Sequence, residues 1–132
     1  MFTEEFTVPT PRKICLVPIT RQIEIILQKM PSLSGLLNIY LPHTTAGLVI
    51  NENADPSVSA DLEKAFSSMV PPVNFSHMEG NSPAHILSSL TGCSLVVPVE
   101  NGKLLLGTWQ GIFLAEFDGP RQRKVRLTFI KG

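Results

Sequence analysis

Near the C-terminus, Val125, Leu127 and Phe129 alternate with Arg126 and Thr128. A period of two predicts a strand over 123–130 with one wet face. Short apolar runs bounded by turn residues predict further strands at 94–99, 103–110 and 111–117. Asn101-Gly102 supplies a hairpin turn and Asp118-Gly119-Pro120 the last turn. Upstream, 2–9 and 13–17 form short strands on either side of a Thr-Pro turn, and 35–41 and 46–51 form two more. Helical spacing appears in three places. Val58, Leu62, Ala65, Phe66 and Met69 share one face after the start signal Asp55-Pro56, and Pro71-Pro72 closes that helix. Ser82-Pro83, a hydroxyl able to cap followed by proline at N1, opens a second helix that stops at Gly92. Thr20 caps a third, with Ile23, Ile26, Leu27 and Met30 at helical spacing and Pro31 and Gly35 ending it; its β-branched isoleucines leave a strand open there. The pattern predicts an α+β class, an antiparallel sheet or sandwich with two or three packed helices, in one domain spanning 1–132.

Composition changes this picture in three ways. Only 17% of residues are charged against 43% hydrophobic, so apolar surface covered by further copies of the chain is expected, an oligomer. Acidic and basic residues balance to zero net charge, which argues against nucleic acid or an anionic membrane as partner and leaves a small molecule. Cys15 and Cys93 are too isolated for a zinc knuckle or a disulfide framework. The stretch MFTEEFTVP has two glutamates and no apolar core, unlike a secretory signal, and no apolar run reaches the about 20 residues of a spanning helix, so a cytoplasmic location is expected.

Candidate chemistry gathers around three histidines. His77 and His85 flank Glu79, Gly80 and Asn81 just before and inside the helix after Ser82, and His43 stands in PHTT between two apolar strands. A catalytic zinc site takes three protein ligands and leaves one position open, so all three imidazoles are candidate metal ligands. The competing reading is a set of loose surface histidines, since the spacing of eight between His77 and His85 is not the tight helical pair of a zinc motif. Thr44 and Thr45 either satisfy their own backbone in a bulge or bind substrate. Asp55 fits a plain helix cap, whereas Glu52 has no such structural reason. Trp109, flanked by Thr108 and Gln110, is a sheet-packing residue or a wall for a heterocycle. Arg121, beside Gly119-Pro120, is a solvated turn residue or an anion holder. Lys103, Arg123 and Arg126 fit solvated strand positions.

Three blocks, PHTTAGLVINENADPSVSADLE at 42–63, HMEGNSPAHI at 77–86 and GKLLLGTWQGIFLAEFDGPRQRKV at 102–125, together resemble the YjbQ family. That resemblance implies a β-sandwich with helices packed on it and a homotrimer. It also implies a secondary thiamine-phosphate synthase activity, a transferase coupling hydroxymethylpyrimidine diphosphate to thiazole phosphate with release of pyrophosphate. The family's histidines fall on His43, His77 and His85, and its acidic and amide positions on Glu52, Asn53, Asp55 and Asn81. Substrate contacts are then expected from Thr44, Thr45, Asn53, Asn81, Thr108, Trp109, Gln110 and Arg121. Imidazoles suit zinc or a similar transition metal, whereas diphosphate chemistry favours Mg²⁺ on oxygen ligands. The ligand types therefore also fit a metal-dependent hydrolase of a phosphate-type substrate, with Glu52 or Glu79 as general base, or a non-catalytic trimer that binds a metal or metabolite.

Overall fold

The computed structural model describes residues 1–30 and 33–132. Its elements run β1 (Phe2–Pro9), β2 (Cys15–Pro18), α1 (Thr20–Gln28), β3 (Gly35–Tyr40), β4 (Ala46–Glu52), α2 (Pro56–Met69), α3 (Ser82–Thr91), β5 (Ser94–Glu100), β6 (Lys103–Leu104), β7 (Gln110–Glu116) and β8 (Gln122–Lys131). They form two antiparallel sheets, one in the order β1-β8-β3-β5-β6 and one in the order β2-β7-β4. The class is the α+β sandwich with three helices that the pattern predicts.

The alternation along β8 builds the first sheet. Val125, Leu127 and Phe129 turn inward and are fully buried, while Lys124, Arg126 and Ile130 are exposed. Inward side chains of β3 and β5 (Leu37, Ile39, Val97, Val99) meet Leu48, Ile112 and Leu114 of the second sheet. Ile23 and Leu27 of α1 close the same core, which is why that segment is a helix with apolar residues on one face and not a strand. Each of these side chains contributes roughly 1.5–3 kcal/mol by leaving water.

The second sheet is covered on its other face too. Phe113, Ala115 and Phe117 pack with Leu16 under Ala84 and Leu87 of α3, and Phe66 of α2 stands edge-on to Phe117 at 5.3 Å. With both faces dry, β7 has to be a continuous apolar run, as GIFLA is. Helix α3 lies so close to β4 that a Cβ at Gly47 would collide with the Thr91 side chain and the Gly92 carbonyl. Two hydrogen bonds fasten the contact: Ser88 Oγ donates to the Ala46 carbonyl at 2.6 Å and Leu48 N–H to the Gly92 carbonyl at 3.0 Å.

Four local expectations are corrected. Residues 103–110 are not one strand: β6 ends at Leu104, and Gly107 and Gln110 then close a turn in which Gly107 N–H donates to Gln110 Oε1 and Gln110 N–H to the Gly107 carbonyl. Thr20 does not cap α1 but is its first residue, and its hydroxyl pairs with the backbone of Ile112. Asn81, not Ser82, takes the cap position of α3, which moves Pro83 one place further in. Arg123 is not solvated: it continues the inward series of β8 and is 4% exposed. Asp55 is the expected cap of α2, accepting from Ser57 N–H at 2.9 Å. The expected helix stop at Pro31 lies outside the described residues.

Both cysteines are free, and burial pushes the Cys15 thiol up. Among the described residues no helix is long and apolar enough to cross a membrane. Leu127 is central to the core, so Leu127→Ala is expected to lower the unfolding free energy by about 2–5 kcal/mol in denaturant titrations, without a change of fold by circular dichroism.

Candidate functional site

The turn from β7 to β8 carries two nested ion pairs. Glu116 ends β7 and is fully buried; the side chain it meets is Arg123. Arg123 Nε donates to Glu116 Oε1 at 2.8 Å, and Nη2 donates to Oε2, to the Thr45 hydroxyl at 2.8 Å and to the Thr45 carbonyl at 3.1 Å. Thr10 Oγ1 donates to Glu116 Oε1 as well, at 2.8 Å. Burial pushes the Glu116 carboxyl up, but Arg123, the Asp118 N–H and Thr10 outweigh it and hold it below the usual carboxylate range. Closer to the turn, Asp118 accepts from Asn81 Nδ2 and from Arg121 Nη2, both at 3.0 Å, and Arg121 Nε donates to the Asp118 carbonyl at 2.9 Å. Asn81 first, and Arg121 after it, lowers the Asp118 carboxyl. Both carboxylates thus stay ionised and act only as acceptors.

His43 is held by the end of a strand. Beyond Tyr40, β3 no longer pairs with β8, and the Lys124 N–H donates to His43 Nε2 at 2.9 Å. A backbone N–H can only donate, so Nε2 accepts and the neutral ring carries its proton on Nδ1. Burial, and then the Arg123 charge, lower the His43 pKa, with Glu116 opposing.

These groups meet in an open cleft of about 330 Å³ between the 42–45 loop and the start of α3. His43, Thr44 and Thr45 form one side, Glu79, Asn81 and His85 the other, and Arg121 and Arg123 line it from β8 and the turn before it. Arg123 spends Nε and Nη2 on the Glu116 carboxylate, and Arg121 spends Nη2 on the Asp118 carboxylate and Nε on the Asp118 carbonyl, which leaves each Nη1 without a partner among the described residues. The cleft is therefore lined by two guanidinium groups, each with Nη1 to spare, and by the His43 ring, protonated on Nδ1. The Asn81 Oδ1 is buried and has no hydrogen-bond partner among the described residues. Asp118 can take only the amide nitrogen, which fixes that orientation.

His77 stands outside this lining. Its ring lies edge-on to that of His85 at 5.4 Å, and its Nε2 is 3.9 Å from Glu79 Oε2. The three expected metal ligands thus come to one region without converging. His43 Nε2 is occupied and Nδ1 protonated, and among the described residues no three His, Cys, Asp or Glu side chains are grouped so as to hold a metal ion. The residues of one chain do not fit a three-imidazole centre.

The remaining candidates lie elsewhere. In the β4–β7 register Ala46 faces Glu116 at one end and Glu52 faces Gln110 at the other, roughly 20 Å apart along the strand. Glu52 accepts from Ala54 N–H at 2.9 Å, and Asn53 donates its N–H to the Trp109 carbonyl at 2.8 Å. Trp109 is 64% exposed and neither packs on the sheet nor walls the cleft; Thr108 and Gln110 flank it at that same far end. Glu52 therefore orients none of the three imidazoles within one chain, and Thr108, Trp109, Gln110 and Asn53 contact nothing in the cleft. The residues that sequence reasoning misses are Arg123, Glu116 and Asp118. One signal points to them: a lone carboxylate at the end of an apolar run requires a buried partner, and Arg123 has the inward parity of Val125.

A two-sheet α+β sandwich with a polar cleft at the turn between β7 and β8 defines the class of this protein. A family model described as UPF0047 protein YjbQ-like matches residues 4–132, and the chain belongs to that family. It is 50% identical over 127 residues to UPF0047 protein MJ1081 of Methanocaldococcus jannaschii, covering 96% of this chain and 92% of that protein. Among solved structures, an uncharacterized conserved YjbQ/UPF0047 protein from Clostridium acetobutylicum superposes with a TM-score of 0.91 at 43% identity, over 96% of this chain and 99% of that one. The hypothetical protein APE1520 from Aeropyrum pernix K1 superposes over the whole of both chains with a TM-score of 0.93 at 37% identity. None of these three relatives carries a reaction in its name, so they lend no support to the thiamine-phosphate synthase activity.

Two outcomes follow from the geometry. Arg123→Met leaves Glu116 buried and unpaired, and unfolding in denaturant is expected to show a loss of about 3–5 kcal/mol, largely recovered by adding Glu116→Leu. His43 has a folded pKa below its ordinary 6.5. The unfolded chain then binds more protons between the two values, so its contribution to stability is present above 6.5 and is lost as pH falls through the folded value. Melting temperatures across that range should show a steeper acid decline in the native protein than in His43→Gln.

Proposed function

We propose that the cleft at the β7–β8 turn binds the phosphate group of a small metabolite. The observation that carries this is the convergence of unspent donors: the Nη1 edges of Arg121 and Arg123 and the Nδ1–H of His43, around a space of about 330 Å³. Guanidinium N–H groups are suited to phosphate oxygens because their hydrogen bonds are charge-assisted. Asp118 and Glu116 fix where those edges point, so the ligand does not have to order them on binding. Thr44, Asn81 and His85 are the further side chains in reach of such a ligand, and Glu79 is the carboxylate available as an acceptor or proton carrier.

The finer form of this reading is the transferase implied by the family resemblance, which joins hydroxymethylpyrimidine diphosphate and thiazole phosphate. Both its substrates carry phosphate, and Mg²⁺ bridging diphosphate oxygens would neutralise the charge that two carboxylate-paired arginines leave uncompensated. We propose also that the chain works as a homotrimer. Among the described residues no helix packs over the outer face of β8, β3 and β5, where Leu36, Tyr40, Val96 and Ile130 are exposed, and further copies are its proposed cover. Sedimentation equilibrium at micromolar concentration tests this; a stable monomer would end it.

Calorimetric titration tests the cleft. Inorganic phosphate is expected to bind, Arg121→Ala to weaken it about tenfold or more, and dialysis against a chelator to leave it unchanged. No binding at millimolar phosphate overturns the reading. Incubation with the two thiamine precursors and Mg²⁺, followed by chromatography for thiamine phosphate, decides whether the transferase is the reaction.

A further inference from the structure

The donors of the cleft have been assigned to an anion, which leaves the acceptors on its other wall. Glu79 lines the same space as Arg121 and Arg123, with its side chain 77% exposed and no hydrogen bond among the described residues. The His77 Nε2 lies 3.9 Å from the Glu79 carboxylate, beyond hydrogen-bonding distance. A fully deprotonated oxyanion offers no hydrogen to Glu79, and a carboxylate in the same small cleft repels it. An oxyanion that keeps one hydroxyl satisfies both walls: its unprotonated oxygens accept from the arginines and His43, and its O–H donates to Glu79.

Charge balance points the same way. Asp118 and Glu116 already neutralise Arg121 and Arg123, so Glu79 leaves the cleft with no surplus positive charge. Binding must then come from matched hydrogen bonds, and matching depends on which ligand atoms carry protons.

We infer that this cleft selects a protonated phosphate over an unprotonated oxyanion of the same shape, with Glu79 as the specificity-determining residue. The ligand class is hydrogen phosphate, or a phosphate monoester in its singly protonated form. Sulfate, tetrahedral and of similar size but without a proton at neutral pH, is the disfavoured analogue. The inference rests on the phosphate-binding reading above and adds the acceptor side of recognition.

Calorimetric titration of the full chain with inorganic phosphate, methyl phosphate and sulfate at neutral pH, in the native protein and in Glu79→Gln, tests it. The native protein is expected to favour inorganic phosphate over sulfate by about tenfold, a modest factor because water reaches Glu79. In Glu79→Gln the amide can donate as well as accept, so sulfate should gain, phosphate should weaken, and the ratio should fall to near unity. Equal binding of phosphate and sulfate by the native protein overturns the inference, and so does a ratio unchanged in Glu79→Gln. Failure of every oxyanion to bind the native protein removes the phosphate-binding reading itself, so the two failures are distinct. Methyl phosphate separates the two sources. An ester ligand requires it to bind as well as inorganic phosphate does once the pH is low enough to protonate it, near about 6. Free phosphate as the ligand requires the ester to stay weaker at every pH.

Discussion

A carboxylate and a guanidinium can leave water together only if each satisfies the other, and Glu116 and Arg123 meet that condition at the point where the two sheets come closest in sequence. Glu116 is fully buried and receives hydrogen bonds from Arg123, Thr10 and two backbone N–H groups. Arg123 in turn holds both oxygens of Thr45. One pair thereby joins the β7–β8 turn, the segment after β1 and the loop before β4. Breaking either member would leave a charge without solvent or partner, so the three segments are fixed relative to one another.

That constraint also shapes the cleft. Because Glu116 occupies one edge of Arg123 and Asp118 one edge of Arg121, both guanidinium groups present their remaining edge in a set direction. His43 joins them through a different backbone need: β3 stops pairing with β8 after Tyr40, and the imidazole accepts the Lys124 N–H that the strand no longer serves. A residue that looks like a metal ligand in the sequence is instead a neutral ring with one nitrogen committed to the fold and the other turned into a donor. Within one chain that ring stands beside Arg121 and Arg123 as a hydrogen-bonding group.

Polar residues that sit close in sequence are split by β4. His43 and Glu52 are nine positions apart, yet the strand between them is extended, so they mark opposite ends of the sheet. The tip with Glu52, Asn53 and exposed Trp109 is ordered by its own hydrogen bonds, from Ala54 N–H to Glu52 and from Asn53 N–H to the Trp109 carbonyl. Sequence neighbourhood groups these residues with the histidines; strand geometry separates them.

Most of the strands, the helices after Pro56 and Ser82, the cap at Asp55 and the apolar run of β7 were legible in the chain, because hydrophobic periodicity and capping are local properties; the 103–110 segment, which breaks after Leu104, was not. The parity of β8 was legible too: Arg123 lies two positions ahead of Val125 and so shares its inward face, although its charge suggests a solvated place. Sequence also brought His77, Glu79, Asn81 and His85 together, since only a short loop and one helical turn separate them. What remained for the tertiary structure were facts that depend on distant register. Among them are that Thr10 reaches Glu116, that Asp118 fixes the amide of Asn81, that Lys124 occupies His43, and that Trp109 ends far from the cleft. No local pattern encodes these, because each follows from which strand edge lies beside which, and that is decided only when the two sheets close over a common core.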